Sequence, residues 1–309
     1  MGEKQETNEK VVRRWLVSKP RISTLNISLL RSALQGIKES LEHAVETATF
    51  RGEPRSDGLE AKTSFIRSYQ LIMPIHEVVK ESLGNELSSQ GRRFTIHPPM
   101  GETSPELRFM GFLKGKDQDV AVLFDDDEPT PEKIAEGPLA GLEDPVGEDV
   151  SRRSLVIGVR SQMSSVNNNF DTLMERLFAE TLNLRLRLAR LVMGEVYLLP
   201  VVEYDSEAMK QNEVAWERKP VDIQRFVRTF ASFSGRGAHN YDDEYKYERS
   251  ALVLADFRED PPAVYLTLDA LKQDGLVSDD FEADFETLSP KNFAGDLLDI
   301  HRRRHQVDK

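Results

Sequence analysis

The sequence predicts an α/β protein with a mixed central sheet and a helical N-terminal region. Three observations lead there. Residues 154–205 spell a strand, a polar turn, a long helix and a second strand, which is a βαβ crossover. Residues 1–90 carry helical rather than alternating apolar spacing, and short β-branched runs stand on both sides of the crossover. The organisation expected is a helical region over 1–90 and an α/β domain over 91–309.

From Glu9 to Leu87 the chain reads as helix. Ile22, Leu25, Ile27, Leu29, Leu30, Leu34, Ile37, Leu41 and Val45 make one stripe, with Asn26 or Ser28 as its start. A loop over Gly52 to Gly58 separates it from a second stripe running from Leu59 to Leu83, where Pro74 marks a kink. These helices form either a lobe of their own or a layer against the sheet. Gly91 to Pro99 reads as a strand stopped by proline. Leu107 to Phe112 and Asp119 to Phe124 read as strands, paired as a hairpin with Gly115 in the turn.

Residues 125–153 are acidic and rich in proline and glycine, and they read as a long exposed loop, either functional or a tolerated insertion. In the crossover, Leu155, Val156, Ile157 and Val159 form a buried strand. Asn168 or Asn169 caps a helix that starts at Phe170, Gly194 closes it, and Glu195 to Val202 returns as a strand. Val221 to Phe233 is helical, Ala251 to Phe257 and Val264 to Leu266 are extended, and Leu268 to Asp274 and Asn292 to Arg303 close the chain as helices. Ser289-Pro290 is a fitting start for the last of them.

Composition narrows the function. Hydrophobic residues make up 39% and charged residues 30% of the 309, the balance of a soluble globular protein. No apolar run approaches the ~20 residues of a membrane span, and the segment MGEKQETNEK is too polar for a signal peptide, so the expected location is the cytoplasm. The chain lacks cysteine, which excludes disulfides, thiolate metal sites and a cysteine nucleophile. A net charge of −12 argues against indiscriminate coating of nucleic acid but leaves room for local basic faces. Walker A, GxGxxG-after-strand and GxSxG patterns are missing, as is HExxH among the six histidines. His301 and His305 lie one turn apart, but the three arginines between them oppose a metal.

The order strand, strand, long helix, strand, helix, strand, with DVAVLF ahead of VIGVRSQMSSVNNNFD, resembles the core of the PD-(D/E)XK nuclease superfamily. Among its members it is most similar to type II restriction endonucleases of the XhoI-like group, over roughly Lys114 to Tyr204. The resemblance implies a restriction-endonuclease-like sheet, Mg²⁺ as cofactor, double-stranded DNA as substrate and a homodimer. It places the first metal-binding carboxylate at Asp119. Arg160 falls at the family lysine with Gly158 at the acidic position, or Gln162 takes the lysine position and Arg160 the acidic one. Gly158, Arg160 and Gln162 share one strand face, and neither register supplies a carboxylate.

Two readings follow. Either the second carboxylate comes from the following helix, with Glu175 as candidate, Asp171 one turn earlier and Glu195 and Glu203 in reserve, or the chain binds DNA or protein without cutting. On the first reading Asp119 and Glu175 hold the metal, with Arg160 and Gln162 at the scissile phosphate. Arg225 and Arg228, three apart on one helix face, and Arg236 in SFSGRGAHN are the expected DNA contacts, since arginine suits bidentate contact with phosphate or guanine.

Overall fold

A computed structural model describes residues 27–305 of the chain. The part of the first helical stripe before Ile27 lies outside the described residues. Helices α1 (Ile27–Thr47), α2 (Gly58–Arg67) and α3 (Tyr69–Ser89) come first. The second stripe is two helices rather than one. Ser68 has extended backbone, ends α2, and its hydroxyl caps α3 by accepting from the Gln70 N–H. Pro74 lies inside α3, within its first two turns.

The central sheet has six strands, β1 (Phe94–His97), β2 (Val120–Phe124), β3 (Leu155–Ser161), β4 (Val192–Pro200), β5 (Arg249–Asp256) and β6 (Ala263–Tyr265). Their spatial order follows the chain from β1 to β6. β1, β2 and β3 run antiparallel in turn, β4 lies parallel to β3, β5 parallel to β4, and β6 antiparallel to β5. The sheet is therefore mixed, as expected. The crossover between β3 and β4 is α5 (Phe170–Arg185), which follows the short α4 (Glu148–Arg153). After β4 come α6 (Ser206–Lys210) and α7 (Ile223–Phe233), then α8 (Leu268–Gln273) and α9 (Phe293–His305) beyond β6.

Alternation along the strands divides the core into two layers. Val120, Val122, Ile157, Val159, Val196 and Leu198 face α1, α3 and α9 in one cluster. The first helices thus form a layer that shares a core with the sheet. Ala121, Leu123, Val156, Met193, Tyr197 and Leu199 face the other way, against Leu173, Leu177 and Leu184 of α5 and Ile223, Phe226, Val227 and Phe230 of α7. The three-and-four spacing of those residues is what turns one side of each helix to the sheet.

Two local expectations are corrected, and the stretch over 125–153, mostly exposed as expected, carries some structure of its own. Leu107–Met110 pairs with Gly115–Gln118 in a separate two-stranded ribbon, whereas β2 pairs with β1 and β3. Every residue of β2 is buried, so its natural place is inside the sheet rather than in an exposed hairpin. Gly194 lies within β4, and the helix stops at Arg185. A Cβ on Gly194 would come within 2.7 Å of Leu297 and 2.8 Å of Phe293, so the glycine lets α9 close on the sheet. Residues 125–153 hold a small ribbon, Glu132–Lys133 with Glu143–Asp144, besides α4. Val146, Val150 and Asp144 there are buried, and Arg187 pairs with Asp144.

Candidate active site

β2, β3 and β4 bring carboxylates to the two sides of a glycine. In the parallel register Gly158 of β3 lies beside Glu195 of β4. The antiparallel pair Val120 with Ile157 sets Asp119, one residue earlier, beside Gly158 on the other side. Asp119 is anchored there by the Val159 N–H, which donates to its Oδ2 at 2.8 Å. Paired residues on adjacent strands project from the same sheet face, so Asp119 and Glu195 flank the position where β3 has no side chain.

Glu195 uses that space. A Cβ on Gly158 would lie 2.3 Å from Glu195 Oε2, so the carboxylate occupies the volume that a side chain at Gly158 would fill. Glu195 is fully buried, and its Oε2 has no hydrogen-bond partner among the described residues. Burial pushes this carboxyl up to about 7 even though Arg160 beside it pulls the other way.

Arg160, two residues along β3, donates to Glu195 with one terminal nitrogen and to Glu180 of α5 with the other, the latter at 2.6 Å. Lys116, from the ribbon before Asp119, pairs with Glu180 as well. The two cations hold the Glu180 carboxyl below its ordinary value against the effect of burial, which lowers the lysine. Tyr247 is buried near this group, and burial followed by Glu195 and Glu180 raises its hydroxyl well above the ordinary range. The phenol is therefore neutral at physiological pH.

The cluster holds Asp119 and Arg160 from the expected residues and Glu195 from the reserve candidates, and it adds Glu180 and Lys116. No family model, curated protein or solved structure matches the chain. Other expected residues stand apart. Glu175 is exposed on α5 and outside the cluster, and Glu180, on the side of the helix turned to the sheet, contacts Arg160 in its stead. Gln162 follows β3 and donates to the Ser164 carbonyl at 2.5 Å. Asp171 pairs with Arg225 at 2.9 Å, and Glu203 accepts from the Val166 N–H.

Of the three expected DNA contacts, Arg225 lies over the Phe170 ring and Arg228 over that of Phe281. Arg236 is 0% exposed and donates to Glu248, where Arg185 and Arg304 converge as well. Its guanidinium is committed to Glu248 and to the Ala189 carbonyl, which is a structural role. Among the described residues no helix is long and apolar enough to cross a membrane.

Two observations bear on a divalent ion. Glu195 Oε2 is a buried oxygen without a partner, and it is turned into the gap over Gly158 that Asp119 flanks. Both donors are hard carboxylate oxygens of the kind Mg²⁺ prefers. Among the described residues no group of three or more histidine, cysteine, aspartate or glutamate side chains forms a metal cage. Mg²⁺ commonly takes one or two carboxylates and completes its shell with water and substrate phosphate, so a two-carboxylate set is compatible with it.

Proposed function

We propose that this chain is a Mg²⁺-dependent, sequence-specific DNA endonuclease on a restriction-endonuclease-like scaffold. The observation that carries the proposal is the Glu195 carboxylate lying over Gly158 opposite Asp119, which supplies from the neighbouring strand the acid that β3 lacks. The order of α3, β1, β2, β3, α5 and β4, with three antiparallel strands and a parallel fourth after a crossover helix, supports the same reading.

On this reading Asp119 and Glu195 hold the ion together with a phosphate oxygen of the DNA. When bound, Mg²⁺ polarises the phosphate and lowers the pKa of bound water. The chain supplies the rest. Arg160 fixes both Glu180 and Glu195, so neither carboxylate has to be reorganised when DNA arrives. Lys116, partly exposed, has three donors, and those Glu180 does not engage are available to a phosphate oxygen or an attacking water. Hydrolysis joins the water oxygen to phosphorus and breaks one P–O ester bond, and the leaving oxygen takes up a proton. A two-fold dimer meets the symmetry of a duplex cut on both strands.

A second reading has its own observation. The Arg160 guanidinium spans Glu180 and Glu195 and, together with Lys116, balances their charge, as expected of a protein that binds DNA without cutting it. Plasmid incubated with and without Mg²⁺ over a range of salt separates the two. The nuclease reading expects Mg²⁺-dependent linear or nicked product that is lost in Asp119→Ala. Binding without any cleavage supports the second reading, and cleavage that survives Asp119→Ala overturns the site assignment.

A further inference from the structure

Two cavities open on either side of Arg160. One, about 570 Å³, is lined by Lys114, Lys116, Asp119, Arg176 and Glu180 among others. Its neighbour, about 390 Å³, is lined by Arg67, Tyr69, Gln162, Asn169 and Arg176 among others. Val159, Arg160 and Arg176 belong to both. The two are therefore halves of one groove, which crosses the C-terminal end of β3 along the flank of α5. Lys114, beside the ribbon, lines one half, and Arg67, at the junction of α2 and α3, lines the other.

The charge of this groove departs from that of the chain. The whole sequence has 53 acidic against 41 basic residues. The groove is lined by five cations, Arg67, Lys114, Lys116, Arg160 and Arg176, against the carboxylates of Asp117, Asp119 and Glu180. Asp117 is already paired with Arg108. Lys116 and Arg160 are likewise committed to Glu180 and Glu195. Arg67, Lys114 and Arg176 differ. All three are exposed, and none makes a side-chain hydrogen bond, ion pair or ring contact with the described residues. Arg67 lines one half of the groove, Lys114 the other and Arg176 both, and the half shared by Lys114 and Arg176 is also lined by Asp119 and Glu180.

We propose that Arg67, Arg176 and Lys114 form a track for the sugar–phosphate backbone of one DNA strand, which they draw past Asp119. The assignment rests on the nuclease reading for its choice of DNA, while the track itself rests on the groove and its three unpaired cations. It moves the backbone contact away from Arg225, Arg228 and Arg236 to residues on the rim of the candidate site. Exposed cations left without protein partners lose little on meeting a phosphate, because no ion pair has to be broken.

Salt dependence tests this directly. Each phosphate contact on B-DNA contributes about −0.9 to the slope of log K against log salt, so losing three makes the slope shallower by about 2.7. The measurement is fluorescence anisotropy of a labelled duplex with the full chain, in EDTA so that no cleavage intervenes. The groove variant is Arg67→Ala/Lys114→Ala/Arg176→Ala. The control, Lys133→Ala/Arg218→Ala/Lys219→Ala, removes three exposed cations elsewhere. The expected result is a slope shallower by about 2.7 in the groove variant and unchanged in the control.

Equal slopes for the wild type and the groove variant, an equal loss in the control, or no binding by the wild type at 50 mM salt each overturn the track. Because the assay contains no Mg²⁺, the nuclease reading fails separately. A protein that never cuts and yet loses its salt slope with the groove residues keeps the track and refutes the enzyme.

Discussion

The contact between Gly158 and Glu195 can be tested by adding one methyl group. In Gly158→Ala the new Cβ would meet Glu195 Oε2 at 2.3 Å and the Arg160 guanidinium at 3.1 Å, where ordinary contacts begin near 3.4 Å. Glu195 is fully buried and cannot swing into solvent, so either its bond to Arg160 breaks or β3 and β4 separate. Overpacking of this kind costs about 1–3 kcal/mol. Glu195→Ala leaves Arg160 with Glu180 alone, and breaking a buried pair costs about 3–5 kcal/mol. In the double variant the Cβ enters space the carboxylate has vacated, so the Gly158→Ala penalty disappears. The cycle therefore has a coupling of roughly 1–3 kcal/mol, with the double variant more stable than the sum of the single losses predicts. Urea unfolding of the four proteins reads this directly. Losses that add within about 0.5 kcal/mol refute the placement of the carboxylate over Gly158.

Two further predictions concern stability. Glu248 receives Arg185, Arg236 and Arg304 in a fully buried group, so Glu248→Gln leaves three guanidinium groups without a counter-charge and costs about 3–5 kcal/mol. Arg236→Ala should lower the unfolding midpoint before it alters DNA affinity, and loss of DNA affinity in a fully folded Arg236→Ala protein contradicts the structural role given to this residue. On the acid side, burial holds His76 and His305 at about 4 and His301 well below its ordinary value. The unfolded chain takes up these protons from about 6.5 downward while the native state does not, so stability falls as pH drops from about 6.5 to 4. His76 alone contributes on the order of 3 kcal/mol over that range. Glu195 acts in the opposite sense, since its carboxyl is raised from 4.5 to about 7 and its contribution is lost as pH rises through that window. Unfolding midpoints from pH 7 to 4 should therefore fall overall, and His301→Gln/His305→Gln should flatten the decline. A slope that the double variant leaves unchanged contradicts neutral burial of these two rings.

The sheet was legible where strands are short β-branched runs, as in β2 and β3, and where helices carry a full apolar stripe, as in α5 and α7. Misreadings arose where one residue type serves two purposes. Gly194 resembles a helix terminator, but it is small because α9 packs on it, and that contact spans about a hundred residues of sequence. Glu180 carries a signal in its spacing. It follows Leu177 by three and precedes Leu184 by four, so a charge lies on the stripe that faces the sheet, whereas Glu175 lies off it. Glu195, a reserve candidate on the sequence alone, carries a similar sign as a single acid in a strand otherwise apolar and wholly buried. The burial of Arg236 had no local sign, because its counter-charge Glu248 is shared with Arg185 and Arg304 of distant helices.

On the nuclease reading Glu195, and no residue of α5's exposed face, supplies the second carboxylate. The most direct test is the Mg²⁺-dependent cleavage rate of one plasmid by Glu195→Gln and by Glu175→Gln, each confirmed as folded. Glu195→Gln is expected to lower the rate by about 10²-fold or more, the scale of losing one electrostatic group from a site, while Glu175→Gln cuts at the wild-type rate. Undiminished cleavage by Glu195→Gln, or loss in Glu175→Gln, contradicts that assignment.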